Sequence, residues 1–117
     1  MAVNAGFKAF IQDLLSEFGP VSIRDMFSGA GIYVEGVMFA ILVGDTLYLK
    51  ADADFASAFA AEGKTPFQAR RKGKAPIPMS YWEVPERLLD DPQELAVWAR
   101  RSLAIAHAVK TKKWSRG

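Results

Sequence analysis

Cysteine is absent from this sequence of 117 residues, and histidine occurs once, as His107. The first absence excludes disulfides, thiolate nucleophiles and any zinc site built on cysteine. The second leaves little for proton transfer near neutral pH, where histidine is the commonest carrier. His107 stands among alanines with no acid within a helical turn, so it reads as a helix-surface residue. Long apolar runs are missing too. The longest, Val37 to Val43, falls far short of the roughly 20 residues that span a bilayer. Met1 to Gly6 lacks a basic n-region, and Lys8, Gln12, Asp13 and Glu17 interrupt the first apolar stretch. A cytoplasmic chain without a leader is therefore expected.

What is present suits a single domain. Half of the residues are hydrophobic and 24% are charged, ordinary values for a globular core of this length. The net charge of +2 does not by itself announce a nucleic-acid partner. Its distribution says more. Lys64, Arg70, Arg71, Lys72 and Lys74 form one acid-free segment; Arg100, Arg101, Lys110, Lys112, Lys113 and Arg116 lie in another. These hold most of the 15 basic residues, which leaves the rest of the chain acidic.

Periodicity gives the elements. Phe7, Phe10, Ile11, Leu14, Leu15 and Phe18 fall on one helical face, with Asn4 as N-cap and Gly19-Pro20 as a stop. Burying those six side chains would contribute on the order of 10 kcal/mol before entropy is subtracted. From Ser22 to Lys50 the pattern turns extended. Strands are expected over Ser22 to Phe27, Ile32 to Val34, Val37 to Val43 and Thr46 to Lys50. Glu35-Gly36 and Gly44-Asp45 are the tight turns of an antiparallel meander. Val37 to Val43 is apolar on both alternations, so it should be the most buried strand, with a helix over at least one face.

A helix over Asp52 to Glu62 follows, closed by Gly63, and then a second hairpin pairs Pro66 to Arg70 with Pro78 to Glu83 around the basic Gly73 loop. Pro85 and Pro92 mark helix starts, and Asp91 with Glu94 has the spacing of a capping box. The last helix should bury Leu95, Trp98, Ala99, Ser102, Leu103, Ala106 and Val109, with residues 110–117 as a frayed basic tail. The expected fold is α+β: an antiparallel β-sheet, meander plus second hairpin, packed with N-terminal, middle and C-terminal helices.

The run Arg24-Asp25-Met26-Phe27-Ser28-Gly29-Ala30-Gly31-Ile32-Tyr33 resembles the R-x-MFGG-x-G-x-Y signature of TfoX N-terminal domains. Gly36-Val37-Met38-Phe39-Ala40, Leu47-Tyr48-Leu49-Lys50, Pro66-Phe67 and Met79-Ser80-Tyr81 continue the likeness in order, from about Phe7 to Val109. Ser28 departs from it, standing where the family usually has glycine. The resemblance implies a compact α+β domain without established catalytic residues. It also implies kinship with TfoX/Sxy regulators, which promote natural competence in bacteria and are thought to act with a cyclic-AMP receptor protein at promoters. Those regulators carry a second, C-terminal helical domain; a stand-alone N-terminal domain is expected here.

Chemistry is sparse. Asp52, Asp54, Asp90 and Asp91 sit where helix N-termini favour acids, so neither metal nor cofactor is expected. Gly29-Ala30-Gly31 leads into a strand rather than a helix, which disfavours a phosphate loop and favours a close strand connection. Tyr33, Tyr48, Tyr81, Trp82 and Phe39 form either an aromatic platform or ordinary sheet packing. Arg24 and Lys50 can be absorbed by ion pairs with Asp25 and Asp52. The first functional reading is a non-enzymatic regulatory domain that binds a protein partner, or a second copy of itself, through the sheet. The alternative is a nucleic-acid-associated module using Arg70, Arg71, Lys72 and Lys74 with Lys110, Lys112 and Lys113.

Overall fold

Backbone conformations at the turns lay out the sheet. The computed structural model describes residues 4–26, 29–71 and 73–115, the backbone alone at 69–71, 74–79 and 110–115. Strands β1 (Ser22–Met26), β2 (Gly29–Val34), β3 (Val37–Val43) and β4 (Thr46–Lys50) run as an antiparallel meander. Between β2 and β3, Glu35 and Gly36 both take positive φ, 50° and 82°, the mirror-image turn whose twist matches the flanking strands. Gly44, at φ 62°, opens the turn into β4. The helix α2 (Ala53–Ala61) then crosses to β5 (Pro66–Arg71) and β6 (Lys74–Glu83). Strand β6 docks on β4, giving a six-stranded order β1-β2-β3-β4-β6-β5. The hairpin is longer than the sequence suggests, since β6 begins at Lys74 rather than Pro78.

Helix α1 (Ala5–Leu14) starts as its capping residue dictates, with Asn4 Oδ1 accepting from the backbone N–H groups of Gly6 and Phe7. It ends in a 3-10 turn over Leu15–Glu17. Ile11, Leu14 and Leu15 are buried, but Phe10 is 46% exposed, against expectation. The buried stripe runs through Phe7, Ile11, Leu15 and Phe18, and Phe10 lies at its flank, stacked on Phe7 at 6.3 Å.

After a 3-10 helix over Glu86–Asp90, which Pro85 precedes rather than opens, α3 (Pro92–Ser115) closes the domain. Its cap is half of a capping box. Asp91 Oδ1 accepts from Glu94 N–H at 3.1 Å, but the Glu94 carboxylate turns to Arg87 at 2.9 Å and Trp98 Nε1 at 3.2 Å. Arg87 also takes Glu62 in two hydrogen bonds of 2.6 and 2.9 Å, tying α2 to the 3-10 helix and α3. Two expectations about α3 fail. Val109 is 50% exposed, because it lies at the mouth of an open cleft beside Met38, Lys50 and Tyr81 instead of against the core. The helical backbone also continues to Ser115, so residues 110–115 extend the helix instead of forming a tail.

The core lies between the sheet and the helices: Ile11 and Leu15, Leu95 and Ala99, Phe55 and Phe59 pack on Ile32, Phe39, Leu42, Leu47 and Leu49. A β-bulge explains why β3 looks apolar on both alternations. Ile32 pairs with Ala40 and Tyr33 with Met38, which leaves Phe39 as the extra residue. Val37 and Phe39 therefore reach the same core as Ala40 and Leu42.

Candidate functional site

The strands dispose of their alternate side chains very differently. Ala30, Ile32, Ala40, Leu42, Leu47 and Leu49 enter the helix-covered core, while Gly31, Tyr33, Met38, Ile41, Tyr48, Lys50 and Tyr81 do not. The second set shares the opposite face, as the pairings Gly31↔Ile41, Tyr33↔Met38, Ile41↔Tyr48 and Lys50↔Tyr81 require. All three tyrosines of the chain stand on this open face. The surface is curled. Phe67, from the far edge strand, meets Tyr48 edge-on at 5.3 Å and shares a small hollow of about 160 Å³ with Met26, Gly29 and Ile41. That curl leaves Ile41 only 6% and Tyr81 only 7% exposed although neither belongs to the core cluster.

Glycine makes the floor possible at one point. A Cβ on Gly31 would lie 2.7 Å from Met38 Sδ, 3.0 Å from the Tyr33 ring and 3.2 Å from Met26 Sδ. Only a bare Cα lets those three side chains converge. Gly29 serves differently: a Cβ there would strike the backbone carbonyl of Leu42. Both glycines lie within β2, not at the mouth of a helix.

Two cations sit on this face, each over a tyrosine. The Arg24 guanidinium is 5.1 Å from the centre of the Tyr33 ring, and the Lys50 ammonium is 5.2 Å from that of Tyr81. Lys50 Nζ also donates to Ser80 Oγ at 2.8 Å. Neither cation makes the ion pair expected of it. Asp25 faces the other way and binds Lys8 at 2.9 Å, while Asp52 caps α2 by accepting from Phe55 N–H at 2.8 Å. Among the described residues no carboxylate lies within 4.0 Å of Arg24 or Lys50. Burial lowers the Lys50 pKa below the ordinary lysine value. Burial also pushes the Tyr81 phenol up to about 12, with Tyr33 adding to the effect, and it raises Tyr48 with help from Glu83. These phenols stay protonated and able to donate at neutral pH. Beside Lys50 and Tyr81 a cleft of about 290 Å³ opens against Met38, Ala106 and Val109.

Most of the signature residues are gathered here: Arg24, Met26, Gly29, Gly31, Tyr33, Tyr48, Lys50 and Tyr81. Gly36 makes its turn and Phe39 belongs to the core. Phe27 and Lys72 lie outside the described residues. The backbone places Arg70, Arg71 and Lys74 on the β5–β6 hairpin and Lys110, Lys112 and Lys113 on the last turns of α3. Ser80 bonds Lys50, and Met38 and Phe67 complete the open face; the sequence offered all three as part of the family likeness but gave them no place in a site, and strict alternation across β3 would have misplaced Met38 because of the bulge. Trp82 is part of the covered face, 6.2 Å from Phe59. His107 is exposed on α3. Among the described residues there is no group of three or more His, Asp or Glu able to hold a metal, and no helix long and apolar enough to cross a membrane.

Comparison with known families matches residues 13–106 to the TfoX N-terminal domain. The chain belongs to that family. A search of curated proteins finds no match. The match takes in every strand of the sheet, so the open face, with its two tyrosine-backed cations, lies wholly inside the TfoX N-terminal domain.

Proposed function

We propose that this TfoX N-terminal domain is a non-enzymatic regulatory module that recognises a protein partner through the open face of its sheet. One observation carries the reading: Arg24 and Lys50 are held in place by tyrosine rings, yet no carboxylate of the described residues meets either. Lys8, Lys64 and Arg87 are paired with carboxylates; on the helix side Arg101 is ring-backed too, over Phe55, but it stands alone there, whereas Arg24 and Lys50 share one face. Cations pre-ordered by an aromatic face and left without a counter-ion suit an external ligand, because little side-chain entropy remains to be lost on binding.

A photo-crosslinking amino acid placed at Met38 or at Tyr48, compared with one at exposed Gln93 on the helix side, tests this. In extract from the native host, the two open-face positions should label the same partner, identified by mass spectrometry, and Gln93 should not. Labelling from Gln93 alone, or none from the open face, rejects the reading.

A further inference from the structure

We propose that the open face receives an extended, acidic segment of the partner, with carboxylates on Lys50 and Arg24 and an apolar side chain in the cleft between Lys50 and α3. This rests on the protein-binding reading above and names the chemistry of the partner.

Charge complementarity is the first argument. All 13 acidic residues of the chain lie among the described residues. None of them lies within 4.0 Å of Arg24 or Lys50, so the domain leaves both cations available to a carboxylate from outside it. A partly buried ammonium costs free energy until it is paired. Around Lys50 the groups able to donate are the ammonium itself, the Ser80 hydroxyl, whose oxygen accepts from Lys50, and the neutral Tyr81 phenol. Such a set fits an acceptor-only ligand group, which a carboxylate is.

The walls give the second argument. Met38, Ala106 and Val109 line the cleft beside Lys50, and Val109 is half exposed, so the ligand must bring apolar surface with its charge. Arg24 on β1 and Lys50 on β4 are three strand spacings apart and offset by two residues, at most roughly 16 Å between backbones, since the sheet curls. An extended chain of about five residues covers that distance. Alternating acidic and apolar residues would present both chemistries along it. Stacked nucleic-acid bases suit the surface less well, because Arg24, Phe67 and Lys50 already occupy one side of the Tyr33, Tyr48 and Tyr81 rings.

Fluorescence anisotropy with the full chain tests the assignment. The probes are a labelled peptide of about ten residues alternating Glu with Val and Thr, the same peptide with Gln for Glu, and an oligothymidylate of similar length. The acidic peptide should bind at least about tenfold more tightly than its Gln counterpart, and added salt should weaken it. Arg24→Gln and Lys50→Gln should each cost about fivefold or more, while Lys50→Arg retains most of the affinity. Circular dichroism and melting of each variant confirm that it is folded. Equal binding of the two peptides, no binding of either, or indifference to both substitutions overturns the proposal. So does Lys50-dependent binding of the oligothymidylate without the acidic peptide, which assigns the face to nucleic acid. If crosslinking at Met38 finds a partner while the acidic peptide fails, the protein-binding reading stands and the acidic segment falls.

Discussion

Leu49 and Lys50 are neighbours on β4, and the contrast between them is the contrast between the two faces of the sheet. Leu49 is fully buried beneath the helices, in a cluster with Phe39, Phe55, Phe59 and Leu95. Lys50 points the other way, into a curled surface of tyrosines, methionines and unpaired cations. On the covered side Arg87 joins Glu62 and Glu94, while Arg101 lies 4.4 Å over the Phe55 ring. On the open side Glu83 meets Lys64 at 3.8 Å, but Arg24 and Lys50 have tyrosine rings beside them and no carboxylate among the described residues. A face built for stability and a face kept ready for a ligand should respond to substitution in opposite ways, and that is how the comparison can be broken.

The largest effect belongs to the covered face. Phe59 is fully buried and packs on Phe55 at 4.7 Å, Trp98 at 5.0 Å and Trp82 at 6.2 Å. Phe59→Ala should lower stability by about 3–5 kcal/mol in denaturant titration, since three rings around one site cannot all collapse into the space. Ser102→Ala comes next. Its hydroxyl, buried in α3, donates to the backbone carbonyl of Lys50 at 2.8 Å and fastens the helix to the end of β4. Leaving that carbonyl unsatisfied should cost about 1–3 kcal/mol by the same measurement.

Gly31→Ala crosses from one class of effect to the other. The new methyl would press on Met38, Tyr33 and Met26. Methionine ends give way cheaply, so the stability cost should be about 1 kcal/mol, at the low end for overpacking. The Tyr33 ring is backed by Arg24 and would have to move with it, so binding of the acidic peptide should weaken by more than the stability change alone suggests. A variant that binds like the parent would show that the packing over Gly31 has no part in recognition.

How much of this was legible in the sequence follows from the range of each signal. The meander could be read because Glu35-Gly36 and Gly44-Asp45 fix their turns locally, and α1 because Asn4 caps it within three residues. The family signature was visible as a string, but its placement on one face was not. The bulge at Phe39 reverses the alternation halfway along β3, and no local pattern announces a bulge. The partners of Arg24 and Lys50 were misjudged for a related reason. Asp25 and Asp52 are near in sequence, yet Asp25 alternates onto the other face and Asp52 is drawn into a cap. Phe10 and Val109 show the limit of helical periodicity, which names a stripe but not how wide or how long its covered part is.

The smallest expected change in stability is the most discriminating. Lys50→Met keeps the stem that packs beside Tyr81 and removes the charge. If Lys50 served the fold, losing its bond to Ser80 and its place over the ring would destabilise the domain. If it is held for a ligand, the variant should melt within about 0.5 kcal/mol of the parent and not below it at neutral pH. The pH dependence sharpens the test. Because the folded pKa lies below the ordinary 10.5, the unfolded chain binds more protons between those two values, and the parent gains stability as pH rises through that window. Lys50→Met lacks this gain, so its advantage should shrink toward pH 10.5. Tyr81 acts oppositely and higher. Its phenol keeps a proton in the folded state up to about 12, so stability falls as pH rises from 10; Tyr48, raised as well, adds to the fall, and Tyr81→Phe should reduce it to the Tyr48 share. Melting curves of the parent and both variants across the alkaline range separate the two slopes. A Lys50→Met variant less stable than the parent at neutral pH would place Lys50 with Arg87 among the cations that hold the fold.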